Sequence, residues 1–140
     1  MKKSFSLLEL IVVIVILSII VTVAIPKFTT GVEKSNLVKI KSDIMLIRTG
    51  INGYKDKAIL KAQDLDLETL EDDSNYLFSK VLTYPIKPTS TPKAASWEKI
   101  SNESYRVWID SQSSVIFYYD LDNSTFDCDF KEQFCKELTQ

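Results

Sequence analysis

The sequence predicts an α+β fold: a long N-terminal helix, its first half apolar enough to span a membrane, packed on a small antiparallel β-sheet. Three observations predict it. Residues 5–25 form an apolar run interrupted by one charge, Glu9. Leu37, Ile40, Ile44, Ile47, Ile51 and Tyr54 then recur at spacings of three and four, the period of one helix face. The last third carries short β-branched and aromatic runs between turns rich in Asp, Ser and Asn, the pattern of a meander.

Composition narrows the function classes. The chain has 140 residues, 45% hydrophobic and 26% charged, enough for one folded domain with a modest core and unlike a disordered chain. Net charge is −2, and setting aside Lys2 and Lys3 leaves 15 basic against 19 acidic residues. That balance gives no general attraction for polyanions and no clear nucleic-acid site. There is no histidine. The commonest general base, the commonest metal ligand and the Ser-His and Cys-His nucleophile pairs are therefore missing. No Gly-rich phosphate loop or paired catalytic carboxylates stand out, so the expectation is a non-enzyme without cofactor or metal.

The first element, residues 5–25, is about 21 residues and roughly 31 Å long as a helix, which matches a bilayer core. Lys2 and Lys3 precede it, which keeps the N-terminus cytoplasmic and sends the C-terminal bulk across. Three readings compete. A secretory signal peptide would use Thr22-Val-Ala24 as its cleavage site, but Glu9 follows the basic residues almost at once. A plain anchor explains the length and the lysines but not the carboxylate, which costs roughly 2.5–3.5 kcal/mol at a membrane centre and less toward the end of a span. In the third reading Glu9 meets a positive charge when the segment leaves lipid and packs on copies of itself.

That third reading is carried by a motif. Lys3-Ser-Phe-Ser-Leu-Leu-Glu9-Leu, the apolar stretch after it and Ala24-Ile-Pro26 resemble the N-terminal signature of type IV pilins and type II secretion pseudopilins. The resemblance is strong over residues 1–26 and one of layout only beyond them. It departs from the family pattern at Ser4, where Gly is usual, and at Ser6, where Thr is usual. It implies a prepilin leader over residues 1–4, cut between Ser4 and Phe5, with N-methylation of the new amine of Phe5. It also implies filament register set by Phe5 and Glu9, whose amine and carboxylate pair between neighbouring subunits. Because an unpaired charge in a low-dielectric setting is costly, such a pair acts mainly by penalising wrong stagger. The implied partners are the membrane, a prepilin peptidase, an inner-membrane platform protein with its assembly ATPase, and self and sibling pilins. The implied place is the bacterial inner membrane, single-pass with the C-terminal domain in the periplasm. The filament would serve protein secretion, DNA uptake or surface attachment. The alternative is a membrane-anchored periplasmic binding module that forms no filament.

Pro26 is expected to kink or loosen the helix without ending it, since the apolar stripe resumes beyond it. Residues 26–57 are then the amphipathic second half of the helix, and 58–140 a globular domain. Gly50 and Gly53 weaken the helix by roughly 1 kcal/mol each relative to Ala, and either admit a close approach of the sheet or fray the end near Lys57. Asp64, Asp66, Glu68, Glu71, Asp72 and Asp73 read as a solvated acidic stretch, with a docking face between subunits as the sharper alternative. Asp73 or Ser74 is placed to cap a short helix over residues 76–82, stopped by Tyr84-Pro85.

Strands are expected at Tyr105–Ile109, Val115–Tyr119 and Thr125–Cys128, with a terminal turn or short helix over Glu132–Leu138. Cys128 and Cys135, an even count in an exported chain, are expected to form a disulfide contributing roughly 2–3 kcal/mol. Asp120, Asp122 and Ser124, with Asp127 and Asp129 nearby, offer oxygen ligands. The stretch lacks the Gly and terminal Glu of a calcium loop, and an Asx-rich turn is the plainer reading. Tyr105, Trp108, Phe117, Tyr118 and Tyr119 lack interleaved basic residues and read as sheet packing in preference to a base-stacking surface. Trp97 and Trp108 are candidates for a subunit contact.

Overall fold

A computed structural model describes residues 6–65, 67–72 and 75–140, without the side chains of residues 23–32. Helix α1 runs Leu7–Leu60, followed by strands β1 (Ser96–Lys99), β2 (Ser104–Trp108), β3 (Ser114–Asp120) and β4 (Thr125–Cys128) and helix α2 (Gln133–Thr139). The chain divides into two compact units, residues 1–35 and 36–140. In the first, the backbone carbonyl of Ser6 accepts from the N–H groups of Glu9 and Leu10 and opens α1. Helical backbone continues through Pro26, as the resumed stripe required.

In the second unit the stripe does what its spacing implies. Ile40, Ile44, Ile47 and Ile51 are buried, with Leu37 and Tyr54 packed at the margin. They face a sheet of order β1-β2-β3-β4, antiparallel throughout. Alternation sends Trp97, Tyr105, Val107, Val115, Phe117, Tyr119, Phe126 and Cys128 inward. Phe117 and Phe126 stack at 5.2 Å between ring centroids, and Phe78 meets Trp97 edge-on at 5.6 Å. Polar residues flanking the stripe tie α1 to the sheet and its approach. Lys39 Nζ donates to Ala95 O (2.6 Å), Trp97 Nε1 to Asp43 Oδ2 (3.1 Å), and Arg48 Nε to Phe126 O (2.9 Å) while its guanidinium pairs with Asp127.

Several expectations need correction. The helix continues to Leu60, three residues past the expected end at Lys57, because Ala58 also packs inward. It stops in a left-handed cap at Ala62 (φ 49°), where Ala62 N–H reaches Ile59 O and Gln63 N–H reaches Ala58 O. Residues 76–82 are not a helix. Leu77 exchanges both backbone hydrogen bonds with Ile86, and Phe78 adopts φ 61°, so that its side chain is fully buried at the centre of the aromatic cluster. The proposed caps Asp73 and Ser74, like Asp66, lie outside the described residues. The meander has a fourth strand, β1, beyond the three expected, and Trp97 within it is fully buried and not a surface contact.

Gly50 does admit a close approach, but of the connector between α1 and β1 (residues 61–95) and not the sheet. A Cβ there would lie 2.2 Å from Val81 O, whereas one at Gly53 would meet nothing within 4 Å. Gly50→Ala is therefore expected to destabilise the protein by about 2 kcal/mol, because overpacking against backbone outweighs the gain in helix propensity. Gly53→Ala is expected to stabilise by up to about 1 kcal/mol. Urea titration of the two variants in detergent checks both signs.

Candidate assembly site

The first turns of α1 are built almost entirely from Leu, Ile and Val. These side chains, Leu7 through Val21, are each between 44% and 75% exposed. Apolar surface on that scale is unfavourable in water and calls for a cover of lipid or protein. The hydroxyls in the segment are already satisfied. Ser18 Oγ donates to Ile14 O (2.6 Å), and Thr22 Oγ1 lies 2.8 Å from Ile19 O and 3.0 Å from Ser18 O. Bonded back onto the helix, they add little penalty in an apolar setting.

Glu9 remains as the one charged residue between Ser6 and Thr22. Its side chain is exposed on the first turn of α1, where the helix dipole favours a carboxylate. Among the described residues it stands exposed at the start of an apolar helix. Ser4 and Phe5, the expected cleavage and methylation positions, lie outside the described residues, as does the Pro26 side chain. The expected span 5–25 thus starts, and carries its last side chains, beyond what is described. Among the described residues no helix is long and apolar enough to cross a membrane.

The remaining candidates fall in the second unit. Cys128 and Cys135 form a disulfide with Cα atoms 5.8 Å apart, pinning α2 to the end of β4. Asp120 is occupied in a turn. Its Oδ1 accepts from Asp122 N–H (2.9 Å) and Asn123 N–H (3.2 Å) and its Oδ2 from Asn123 Nδ2 (2.7 Å). Those bonds, the Asn123 side chain first, hold its carboxyl below the usual range. Among the described residues no group of three or more candidate ligands converges on a metal position. Of the five aromatics weighed for stacking, Tyr105, Phe117 and Tyr119 are buried, whereas Tyr118 is exposed and Trp108 half-buried, its ring under Arg106 at 5.4 Å.

The sequence reading missed one polar centre. Glu71, read as part of a solvated stretch, is only 7% exposed. Its Oε2 accepts from Lys99 Nζ (2.7 Å) and from the Tyr105 hydroxyl (3.1 Å), and its Oε1 lies 3.4 Å from Phe78 N. Burial, and then the Glu71 charge, push the Tyr105 hydroxyl far above the ordinary phenol range. A single local signal was available, an acid among acids followed by a buried-type Leu77-Phe78 pair, and it does not specify the partners.

No curated protein and no solved structure matches this chain significantly. One family model does match, over residues 1–25, and its description is the prokaryotic N-terminal methylation motif. With an apolar helical surface and a lone carboxylate in its first turn, the chain carries at residues 1–25 the N-terminal signal of type IV pilins and pseudopilins.

Proposed function

We propose that this chain is a structural, non-enzymatic subunit of an inner-membrane-assembled filament of the type IV pilus or type II secretion kind. A prepilin peptidase removes residues 1–4 and methylates Phe5. The mature subunit waits in the inner membrane with residues 5–25 as its span and the globular domain in the periplasm. Extraction brings Glu9 to the Phe5 amine of a neighbour, and the Leu7–Val21 surfaces exchange lipid for one another. The work comes from an assembly ATPase acting through a platform protein, since the sequence holds no phosphate loop. The observation that carries this reading is the methylation motif at residues 1–25, which implies processing and pilin-like partners. The exposed apolar surface behind Glu9 supports it.

The mass of the protein extracted from membranes tests the first step. Loss of Met1–Ser4 with one added methyl group is the expected result. An intact N-terminus would leave a tethered periplasmic domain in place of a filament subunit.

A further inference from the structure

The second unit carries an apolar groove of about 410 Å³ between α1 and the connector. Leu46, Val81, Leu82, Tyr84 and Ile86 wall it, and among the described residues Asp43 is the one charged residue lining it. Leu46 is 55% exposed and Tyr84 88% exposed, so the rim is open. Burial raises the pKa of Asp43 against the opposing pull of the Trp97 N–H and Lys39, so this carboxylate is under-solvated for a charged group. Apolar walls with one such carboxylate complement a large apolar side chain next to a single cation.

The same chain presents that pair elsewhere. Between Cys128 and Cys135 the disulfide closes a short loop whose Phe130 is 55% exposed and whose Lys131 is exposed. The loop is already set in shape. Asp129 Oδ1 accepts from Lys131 N–H (2.9 Å), and Asp129 O accepts from Glu132 N–H (3.0 Å). Asp129 and Glu132 flank Lys131, but Asp129 is turned back on the Lys131 amide. A pre-shaped aromatic anchor loses little freedom on docking.

Within one molecule the groove and the helix that follows the knob lie on largely different sides of α1. The end of α2 at Leu138–Gln140 borders α1 along Lys41, Ile44, Met45, Arg48, Thr49 and Asn52, while the groove borders Asp43, Leu46, Thr49 and Gly50. At about 100° per residue the centres of these two sets, which share Thr49, point about 140° apart around the helix. A contact between different surfaces of identical chains does not pair off into a closed dimer and propagates as a helix when its rotation does not close.

We propose that the Phe130–Lys131 loop of one copy docks into the Asp43 groove of the next, Phe130 filling the apolar trough and Lys131 pairing with Asp43. This head-to-tail contact between globular domains rests on the filament reading and supplies it with a second, lipid-independent interface.

The test uses the full chain in assembled material, with Tyr84 replaced by the photo-cross-linker p-benzoylphenylalanine. The expected adduct joins position 84 to the peptide of a second copy that contains Phe130 and Lys131. Phe130→Ala and Lys131→Glu are expected to reduce that adduct at least tenfold while leaving the melting temperature unchanged, because both side chains are exposed. Asp43→Asn, which keeps an acceptor for Trp97 Nε1, is expected to weaken it in the same direction. Polymer whose adducts fall elsewhere, on a different protein, or at full yield in Phe130→Ala overturns this contact alone. A wild-type chain that never enters a polymer overturns both this contact and the reading beneath it.

Discussion

Glu9→Ala is expected to insert into membranes as well as the parent chain, or better, and to enter filaments at least tenfold less. Insertion improves because a carboxylate in or near the hydrocarbon costs up to roughly 3 kcal/mol, less toward the edge, and alanine removes that cost. Assembly fails because the neighbour's Phe5 amine then enters an apolar bundle without a counter-charge, and an uncompensated charge in such a setting is penalised by several kcal/mol. Glu9→Gln separates charge from shape. It keeps the length and hydrogen-bonding capacity of the side chain and is expected to fail as Ala does. Membrane fractionation and recovery of sheared filaments read the two effects separately. Incorporation of Glu9→Ala at the parent level would remove the pairing from the account.

Glu71→Ala is expected to destabilise the globular unit by about 3 kcal/mol, more than any other single polar change argued from this structure. The carboxylate holds its own connector together through Phe78 N–H and ties it to β1 through Lys99 and to β2 through Tyr105. Its loss leaves the buried Phe78 amide without this acceptor and strips Lys99 of its ion-pair partner. The Tyr105 hydroxyl retains a 3.3 Å bond to Asn102 O, so its share is small. Glu71→Gln, which keeps both an acceptor and the volume, is expected to cost about 1 kcal/mol. Chemical denaturation of both variants checks the ordering, and equal losses would mean that the ionic contact to Lys99 dominates.

The contrast between these two residues shows which features were legible in the sequence. Glu9 could be found because its surroundings are written locally: one acid in a run of Leu, Ile and Val, after two lysines. The stripe from Leu37 to Tyr54 could be found for the same reason, since a helix places its buried face by a fixed period. The strands β2, β3 and β4 were readable from short β-branched and aromatic runs. Glu71 and Phe78 could not be read, because what buries them is the arrival of β1 and β2 from about thirty residues away in the chain. Phe78 shows the override most directly. Its neighbourhood favours a helix turn, yet insertion of its ring among Trp97, Tyr105 and Phe126 holds it at positive φ. β1 was missed because Ser96–Lys99 is four residues with two charges, and it is a strand only because β2 supplies its ladder. Within the assembly site, the motif fixes the chemistry expected of Ser4, Phe5 and Glu9. The self-bonded hydroxyls of Ser18 and Thr22 needed the helix backbone in view.

Both rims of the sheet have an outward carbonyl already occupied, that of Trp97 by Thr89 N–H at 2.8 Å and that of Phe126 by Arg48 Nε at 2.9 Å. Each edge thus offers a foreign strand one open acceptor fewer. Partial plugging of this kind lowers the tendency of crowded domains to seed amyloid-like ribbons.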